Sequence, residues 1–344
     1  SKKTASTSSS ATKAPSAAAQ AQFDRFPDDG MPQYGGVLRM GGSEPRTLNF
    51  LDNTTSSTGK IANMIYDELV RWDWWADYAG EPQKPDVGLS HKWSVSDDGT
   101  VWTFQLRKNV NWHDGTPFTC ADVKATYDFY INPGDAGPPG SSYVKPFVEE
   151  TKCTDDHTVE LHLNGPAGSL LLNLAYHWAT IVPKHKLDLS VDNKWFNNNA
   201  LGTGPFMWMP DEYEPDIRFK VTRSDTYWEE GLPYLDGVET FVMSTTASTL
   251  AAFETKRIDT TSGGSPTQQA GMIERNPELR VVKRAAGGHS YILWNVRKPP
   301  FDDPKVRQAM YLWIDRPPFL EKAAAGRGYI KDWLNPDWNG GYGT

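Results

Sequence analysis

The stretch Trp-Ser-Val-Ser-Asp-Asp-Gly-Thr-Val-Trp-Thr-Phe-Gln-Leu-Arg-Lys-Asn-Val-Asn-Trp-His-Asp-Gly-Thr-Pro-Phe-Thr-Cys-Ala-Asp, residues 93–122, says most about the fold. It holds two Asp-Gly turns, Asp98-Gly99 and Asp114-Gly115, and each turn lies beside a strand-like run. In the run between the turns, alternate side chains form one apolar face: Trp102, Phe104 and Leu106. The stretch therefore predicts hairpins with one buried face.

A helix is predicted directly after the second turn. Thr119, with Asp122 three residues later, has the pattern of a helix N-cap. The apolar spacing continues to Ile131, and Asn132-Pro133 ends it.

The remaining periodicities predict a mixture of strands and helices, which indicates α/β architecture. The predicted strands are Val37–Met40, Thr158–Leu163, a strand entered at Gly202 and paired with Arg218–Thr222, Leu279–Lys283 and Ser290–Asn295. The predicted helices are Lys60–Trp72, Leu250–Ile258 and one that begins at Asp303-Pro304, where Asp is the N-cap and Pro the first helical residue.

Composition limits the classes of partner. The chain has 344 residues, a formal net charge of -8, and 38% hydrophobic and 23% charged residues, which is ordinary for a globular protein with a sizeable core. No Lys/Arg cluster suited to a phosphate backbone is present, so we expect no nucleic-acid partner. No apolar run is long enough to span a bilayer. Leu170–Val182, interrupted by Asn173 and His177, predicts a buried helix or strand pair.

The first residues have almost nothing to bury. Ser1–Gln22 is mostly Ser, Ala, Thr and Lys, and we expect residues 1–33 to form a disordered tether. Such a spacer often follows the lipid-modified cysteine of an exported lipoprotein. An expression leader or a plain flexible terminus has the same composition, and the sequence leaves these interpretations open.

The two cysteines, Cys120 and Cys153, do not identify a redox compartment. They could pair if the protein is exported. A lone buried thiol is the commoner state, so the sequence favours separate thiols while leaving pairing open.

Motifs of catalysis are missing from the sequence. It has no Gly-x-Ser-x-Gly elbow, no His-Glu-x-x-His, no Cys-x-x-Cys and no phosphate-binding glycine loop. His113-Asp114 could form a catalytic dyad, but an Asp-Gly hairpin turn explains it better. We therefore expect no catalytic residue, no metal site and no cofactor.

Further motifs follow a fixed order along the chain. They are Gly42-Ser43-Glu44-Pro45, Pro85-Asp86-Val87-Gly88-Leu89 with Trp93, Trp112-His113-Asp114-Gly115, Gly202-Thr203-Gly204-Pro205-Phe206, Tyr227-Trp228, and Val306-Arg307-Gln308-Ala309. Each is weak alone. In this order the set resembles extracellular solute-binding proteins of family 5, the peptide- and nickel-binding components of ABC importers.

The resemblance implies a periplasmic-binding-protein-like fold of class II, a two-lobe α/β clamshell. Residues 34–65 and 190–287 would form the core of lobe one, a discontinuous mixed sheet. Residues 66–189 would form an inserted subdomain that holds the hairpins. Residues 288–344 would begin a second lobe that is incomplete, so we expect a fragment of a longer protein.

The resemblance also implies four ligand-binding patches by position. They are the loop Thr54, Thr55 and Ser56; Tyr143 after a Gly/Pro loop; Gly263 and Gly264, where the backbone can approach a ligand closely; and the strand from His289 to Tyr291. For each patch, ordinary loop or core is the competing interpretation. Trp74, Trp75 and Trp178 are weaker candidates for a pocket wall.

The implied function is capture of a peptide or similar solute and its delivery to an ABC permease in the membrane. The protein would be an extracytoplasmic monomer, periplasmic or lipid-anchored, and not an enzyme. Two alternatives stay open: a carbohydrate-binding member of the same fold that uses Trp stacking, and, more remotely, a secreted hydrolase.

Overall fold

The structure is a computed structural model, and it describes residues 32–45, 47–49, 51, 55–73, 85–134, 137–187, 194–280 and 292–324. The predicted tether thus lies almost entirely outside the described residues. The chain divides into two compact units: the first comprises Ser1–Trp72 and Pro85–Thr261, and the second Asp73–Lys84 and Ser262–Thr344. The division of the sequence into lobes stays a prediction.

The first unit contains ten strands and five α-helices in its described part. The strands are β1 Val37–Gly42, β2 Val70–Trp72, β3 Pro85–Val87, β4 Ser90–Val95, β5 Val101–Leu106, β6 Val148–Asp155, β7 Thr158–Leu163, β8 Phe206–Trp208, β9 Arg218–Arg223 and β10 Gly237–Val242. The helices are α1 Ser56–Ile65, α2 Cys120–Ile131, α3 Ser141–Val144, α4 Leu170–Leu174 and α5 Thr246–Glu254. Short 3-10 helices cover His177–Ala179, Lys194–Asn197 and Pro210–Glu212.

A four-stranded mixed sheet, in the order β1-β10-β9-β8, joins distant parts of the chain. β1 is parallel to β10, with Val37 opposite Gly237, while β9 is antiparallel to both β10 and β8. A parallel bridge between Met40 and Thr260 extends the β1 edge. The sheet is therefore discontinuous, as the fold class requires, and the predicted pairing of β9 with the strand after Gly202 is confirmed.

A second four-stranded sheet, in the order β4-β5-β7-β6, is antiparallel throughout and contains the predicted hairpins. We call it the hairpin sheet. Trp102, Phe104 and Leu106 are buried while their neighbours are less so, as the alternation predicts. α2 packs against β6 and begins with the predicted capping box of Thr119 and Asp122.

The cysteines are paired, which contradicts the favoured expectation of separate thiols. Cys120 at the start of α2 and Cys153 in β6 form a disulfide with their Cα atoms 5.8 Å apart. The sequence could not show this, because 33 positions separate the two residues and only the packing of α2 on β6 brings them together. The bond fastens the helix to the edge of the hairpin sheet.

α1 ends at Ile65, so the predicted helix Lys60–Trp72 is wrong in its second half. The amide of Gly204 donates to the carbonyl oxygen of Ile65 (2.8 Å) and so caps the helix from a distant loop. A Cβ on Gly202 would overlap that same carbonyl, and one on Gly204 would lie 2.7 Å from it. Residues 70–72 instead form β2, which pairs with β3.

The turn at His113 meets the same glycine loop. His113 Nε2 lies 2.9 Å from the carbonyl oxygen of Gly204, and the amide of Gly202 donates to His113 Nδ1 (3.3 Å). The His113 amide also donates to the Gly202 carbonyl (2.9 Å). Two motifs that carry the resemblance are thus hydrogen-bond partners, and the turn interpretation of His113-Asp114 is confirmed.

Asp67 is a buried acceptor beside this junction. Its Oδ2 accepts from the Thr203 hydroxyl and from Trp228 Nε1, each at 2.9 Å. Burial raises the pKa of Asp67, while these two donors oppose the rise. The carboxyl therefore connects the residues before β2 to the loop before β8.

Two further predicted elements differ from the structure. The helix expected at Leu250–Ile258 is α5, which begins four residues earlier because the Thr245 side chain accepts from the Ser248 amide (3.1 Å). No strand occurs in the described parts, 279–280 and 292–295, of the two strands predicted near residues 280 and 290. Within Leu170–Val182, residues 170–174 form α4 and residues 177–179 a 3-10 helix, so the segment is helical only in part and contains no strand pair.

The second unit is helical in its described part. It contains α6 Pro266–Arg275, α7 Pro304–Trp313 and α8 Arg316–Ala324. α7 begins as predicted, because Asp303 accepts from the Lys305 amide (2.8 Å) and Pro304 follows. Throughout the described part of the chain, no helix is both long enough and apolar enough to traverse a bilayer.

Candidate ligand-binding site

One predicted patch, Tyr143, belongs to a row of aromatic side chains in the first unit. Tyr143 in α3 stacks on Tyr176, with ring centroids 4.7 Å apart. Tyr176 stacks in turn on His177 (4.6 Å), and His177 contacts Trp178 at a tilt (4.6 Å). We call these four residues the aromatic ledge.

The ledge is partly open to solvent. Tyr176 is 37% exposed, Tyr143 and His177 are half-buried, and Trp178 is 7% exposed. Trp178 therefore anchors the row in the core while Tyr176 offers its ring at the surface. Offset or tilted rings at these spacings attract each other, which holds the row in one arrangement.

The helix that carries the first predicted patch packs on the ledge. Thr55 is the N-cap of α1, and its hydroxyl contacts those of Ser57 (3.2 Å) and Thr58 (3.0 Å). One turn later, a Cβ on Gly59 would lie 3.2 Å from His177 Nε2. The absence of a side chain at Gly59 thus lets α1 approach the ledge directly.

The ledge carries no formal charge at neutral pH. Burial lowers the pKa of His177 below its ordinary value, so the imidazole is neutral. Burial and the Tyr176 hydroxyl raise the pKa of Tyr143 to about 12. The surface therefore presents neutral rings and hydroxyl groups, which suit apolar and main-chain parts of a ligand.

The third predicted patch lies in the second unit. Gly264 has a φ of 90°, a conformation that favours glycine, and it precedes the α6 capping box of Ser265 and Gln268. The side-chain amide of Gln269 (Nε2) donates to the carbonyl oxygens of Ser262 (3.2 Å) and Gly263 (3.1 Å). Gly263 and Gly264 thus lie in an irregular segment that hydrogen bonds from Gln269 hold just before α6, and a role in binding stays a prediction for them.

The other predicted residues fall outside the described part of the chain. These are Thr54, His289 and Tyr291, the side chain of Ser56, and the weaker candidates Trp74 and Trp75. Of the predicted residues, the structure therefore brings Tyr143 and the helix capped by Thr55 to one place.

Sequence reasoning missed Tyr176 and His177. The available signal was the run Tyr176-His177-Trp178, which places three ring residues inside the apolar segment Leu170–Val182. In the sequence, His177 was interpreted only as a polar residue that interrupts a buried helix or strand pair. Within the described residues, no group of His, Cys, Asp or Glu is arranged to hold a metal ion.

The fold and this site define a class of protein. The family model "Bacterial extracellular solute-binding proteins, family 5 Middle" matches residues 84–343. The chain therefore belongs to the family 5 bacterial extracellular solute-binding proteins.

Individual relatives agree with this assignment. The chain is 29% identical over 285 residues to the glutathione-binding protein GsiB of Shigella boydii serotype 4 (strain Sb227), a match that covers 83% of this chain and 53% of the relative. It thus spans about half the length of the curated relatives it matches.

Solved structures show the same fold. The oligopeptide-binding protein AppA from Bacillus subtilis, in complex with a nonapeptide, superposes with a TM-score of 0.74 at 26% identity, over 89% of this chain and 59% of AppA. DppA from Helicobacter pylori, in complex with the peptide STSA, gives a TM-score of 0.73 at 23% identity, over 86% of this chain and 59% of DppA.

Proposed function

We propose that this chain belongs to the extracytoplasmic binding component of an ABC importer, and that the aromatic ledge contacts a bound peptide or similar solute. The observation that carries the proposal is the ledge itself, a stack of neutral rings with Tyr176 at the surface beside α1. The family and the ligands in the names of GsiB, AppA and DppA support a peptide-like solute.

The chemistry proposed is recognition without reaction. Rings and hydroxyl groups bind the apolar and main-chain parts of a ligand, and lobe closure would complete the enclosure. The cargo would then pass unchanged to a membrane permease. We propose that the protein acts as a monomer, without a cofactor and without nucleic acid.

The test measures binding by the protein as its gene encodes it, including any residues that flank these 344. A pool of short peptides and a panel of oligosaccharides are screened by thermal shift, and the ligands that bind are titrated by calorimetry. We expect peptides to raise the Tm. We expect Tyr176→Ala to weaken peptide binding about fivefold to tenfold, the size of one lost aromatic contact.

Trp195→Ala is the matched control, because Trp195 has 38% exposure in the same unit but belongs to a separate ring pair with Phe196. It should leave affinity unchanged. Binding of oligosaccharides alone would replace our proposal with the carbohydrate-binding alternative, which the stacked rings also favour. Cleavage of a bound peptide, detected by mass spectrometry, would establish the hydrolase instead.

A further inference from the structure

A carboxyl group lies directly behind the ledge and has no role in the proposed contact. Glu68 precedes β2, and its Oε1 lies 3.4 Å from the hydroxyl oxygen of Thr180. Thr180 follows the 3-10 helix His177–Ala179, which carries half of the ledge. A single residue, Thr180, therefore connects the Glu68 carboxyl to the backbone of the ledge.

The Thr180 hydroxyl has two neighbouring acceptors but a single hydrogen to donate. Its oxygen lies 2.7 Å from the carbonyl oxygen of His177, which is the shorter contact. When the hydrogen takes the shorter contact, to His177, only lone pairs of the Thr180 oxygen remain for Glu68. A favourable contact with Glu68 then requires a hydrogen on the carboxyl.

The surroundings of Glu68 favour the protonated form. Burial and the adjacent Asp67 carboxylate raise the pKa of Glu68 to about 8, against the opposing effects of its own amide, Thr180 and Arg71. From α2, Tyr127 and Tyr130 face the same carboxyl, and both are neutral because burial raises the pKa of each hydroxyl.

We propose that Glu68 is a positioning residue for the ledge: its protonated carboxyl donates to the Thr180 hydroxyl, which leaves the Thr180 hydrogen on His177. When Glu68 ionises, it becomes an acceptor only and competes with the His177 carbonyl for that hydrogen. The ledge backbone then loses a hydrogen bond, so the ledge is ordered at neutral pH and loosened in alkali.

Other bonds around Thr180 do not depend on Glu68. The Tyr130 hydroxyl donates to the Thr180 carbonyl oxygen (2.9 Å), and the Ile181 amide donates to the Asp67 carbonyl oxygen (3.2 Å). These bonds hold the segment in place when the carboxyl ionises. The expected change is therefore local and affects the turn His177–Ala179 rather than the fold.

Hydrogen exchange measured by mass spectrometry, without any ligand, tests the proposal. Protection of residues 176–182 is compared at pH 6.5 and 9.5, each corrected for the intrinsic exchange rate. In the wild-type protein we expect protection to fall about fivefold in alkali, the net effect of one hydrogen bond. β9, Arg218–Arg223, is the internal control and should not change.

Glu68→Gln removes the titratable carboxyl but keeps a hydrogen-bond donor, because the side-chain amide of glutamine donates to the Thr180 hydroxyl at every pH. We expect this variant to retain full protection at pH 9.5. Thr180→Val should show the lower protection at both pH values. An equal alkaline loss in the wild type and in E68Q would overturn the proposal, as would the absence of any loss in the wild type.

The inference rests on the proposed function, since it takes the ledge to be the ligand contact. The exchange experiment contains no ligand, whereas the binding screen does not vary pH. Failure of the proposed role of Glu68 is therefore distinguishable from failure of the proposed ligand contact.

Discussion

The hairpin sheet and the mixed sheet of the first unit reach stability in different ways. The hairpin sheet is built from residues 90–163, so each strand pairs with one that is near in sequence, and a disulfide fastens α2 to its edge. The mixed sheet pairs β1 with β10, about 200 positions later, and no covalent link closes it. Both sheets contain strands that pair locally. The longest pairing in the first sheet, β5 with β7, spans about 60 positions, whereas β1 joins the second sheet only by pairing across about 200.

The loop Gly202–Gly204, which leads into β8 of the mixed sheet, depends most clearly on long-range packing. We expect Gly202→Ala to lower the free energy of unfolding by more than about 4 kcal/mol, because the new Cβ would overlap the Ile65 carbonyl oxygen and neither backbone can withdraw. Urea denaturation followed by circular dichroism measures the loss.

Gly165→Ala is the control for this prediction, because a methyl group on its Cα would have no atom within 4 Å. Gly165 lies just after β7 of the hairpin sheet, and the substitution should change stability by less than about 0.5 kcal/mol. Equal urea midpoints for G202A and G165A would show that the junction is not tightly packed.

Removal of the disulfide tests how much this bond stabilises the hairpin sheet. The double variant Cys120→Ser, Cys153→Ser should lose about 3 to 4 kcal/mol, the chain-entropy effect of a crosslink across 33 positions. The same denaturation assay measures it, and exchange should increase in β6 more than in β10.

Reduction of the wild-type protein should reproduce this loss, and the same reductant should leave the double variant unaffected. Free thiols in the unfolded, unreduced wild-type chain would contradict the pairing itself.

The smallest expected effect is the pH response of His113, which connects the two regions. Its Nδ1 accepts from Gly202, so the neutral ring with hydrogen on Nε2 satisfies both contacts, and burial lowers its pKa. Because the folded-state pKa lies below the unfolded value of about 6.5, the stabilisation is present above that pH and is lost as pH falls through the folded-state pKa.

His113→Gln removes this titration. The advantage in unfolding free energy of the wild type over H113Q should therefore shrink between pH 7.5 and pH 5.5. A constant difference over this range would mean that the imidazole is not buried in its neutral form at the junction.

Local chemistry made several elements predictable. Asp122 accepts from the Thr119 amide and Asp303 from the Lys305 amide, each within the first turn of its helix, so the signal is short-range. Lys256, just after α5, has a φ of 57°, in the left-handed region. Alternation alone located β5 and β7.

The errors arose where a distant residue completes a local element. α1 ends at Ile65 because Gly204, from a loop far along the chain, supplies the capping amide. The apolar spacing continues past that point, so periodicity predicted a longer helix. The ledge was missed in part for a similar reason, since Tyr143 and Tyr176 become neighbours only through the packing of α3 beside the turn at His177.

Short-range patterns in the amino-acid order predicted the hairpins and the starts of α2 and α7, because turns, caps and alternation act over a few residues. The order of the motifs indicated the family. The disulfide, the end of α1 and the aromatic ledge emerged only from the folded chain. Each of these depends on contacts between residues that lie tens to more than a hundred positions apart. The free energy of such contacts depends on how distant segments pack, which a pattern of neighbouring residues does not contain.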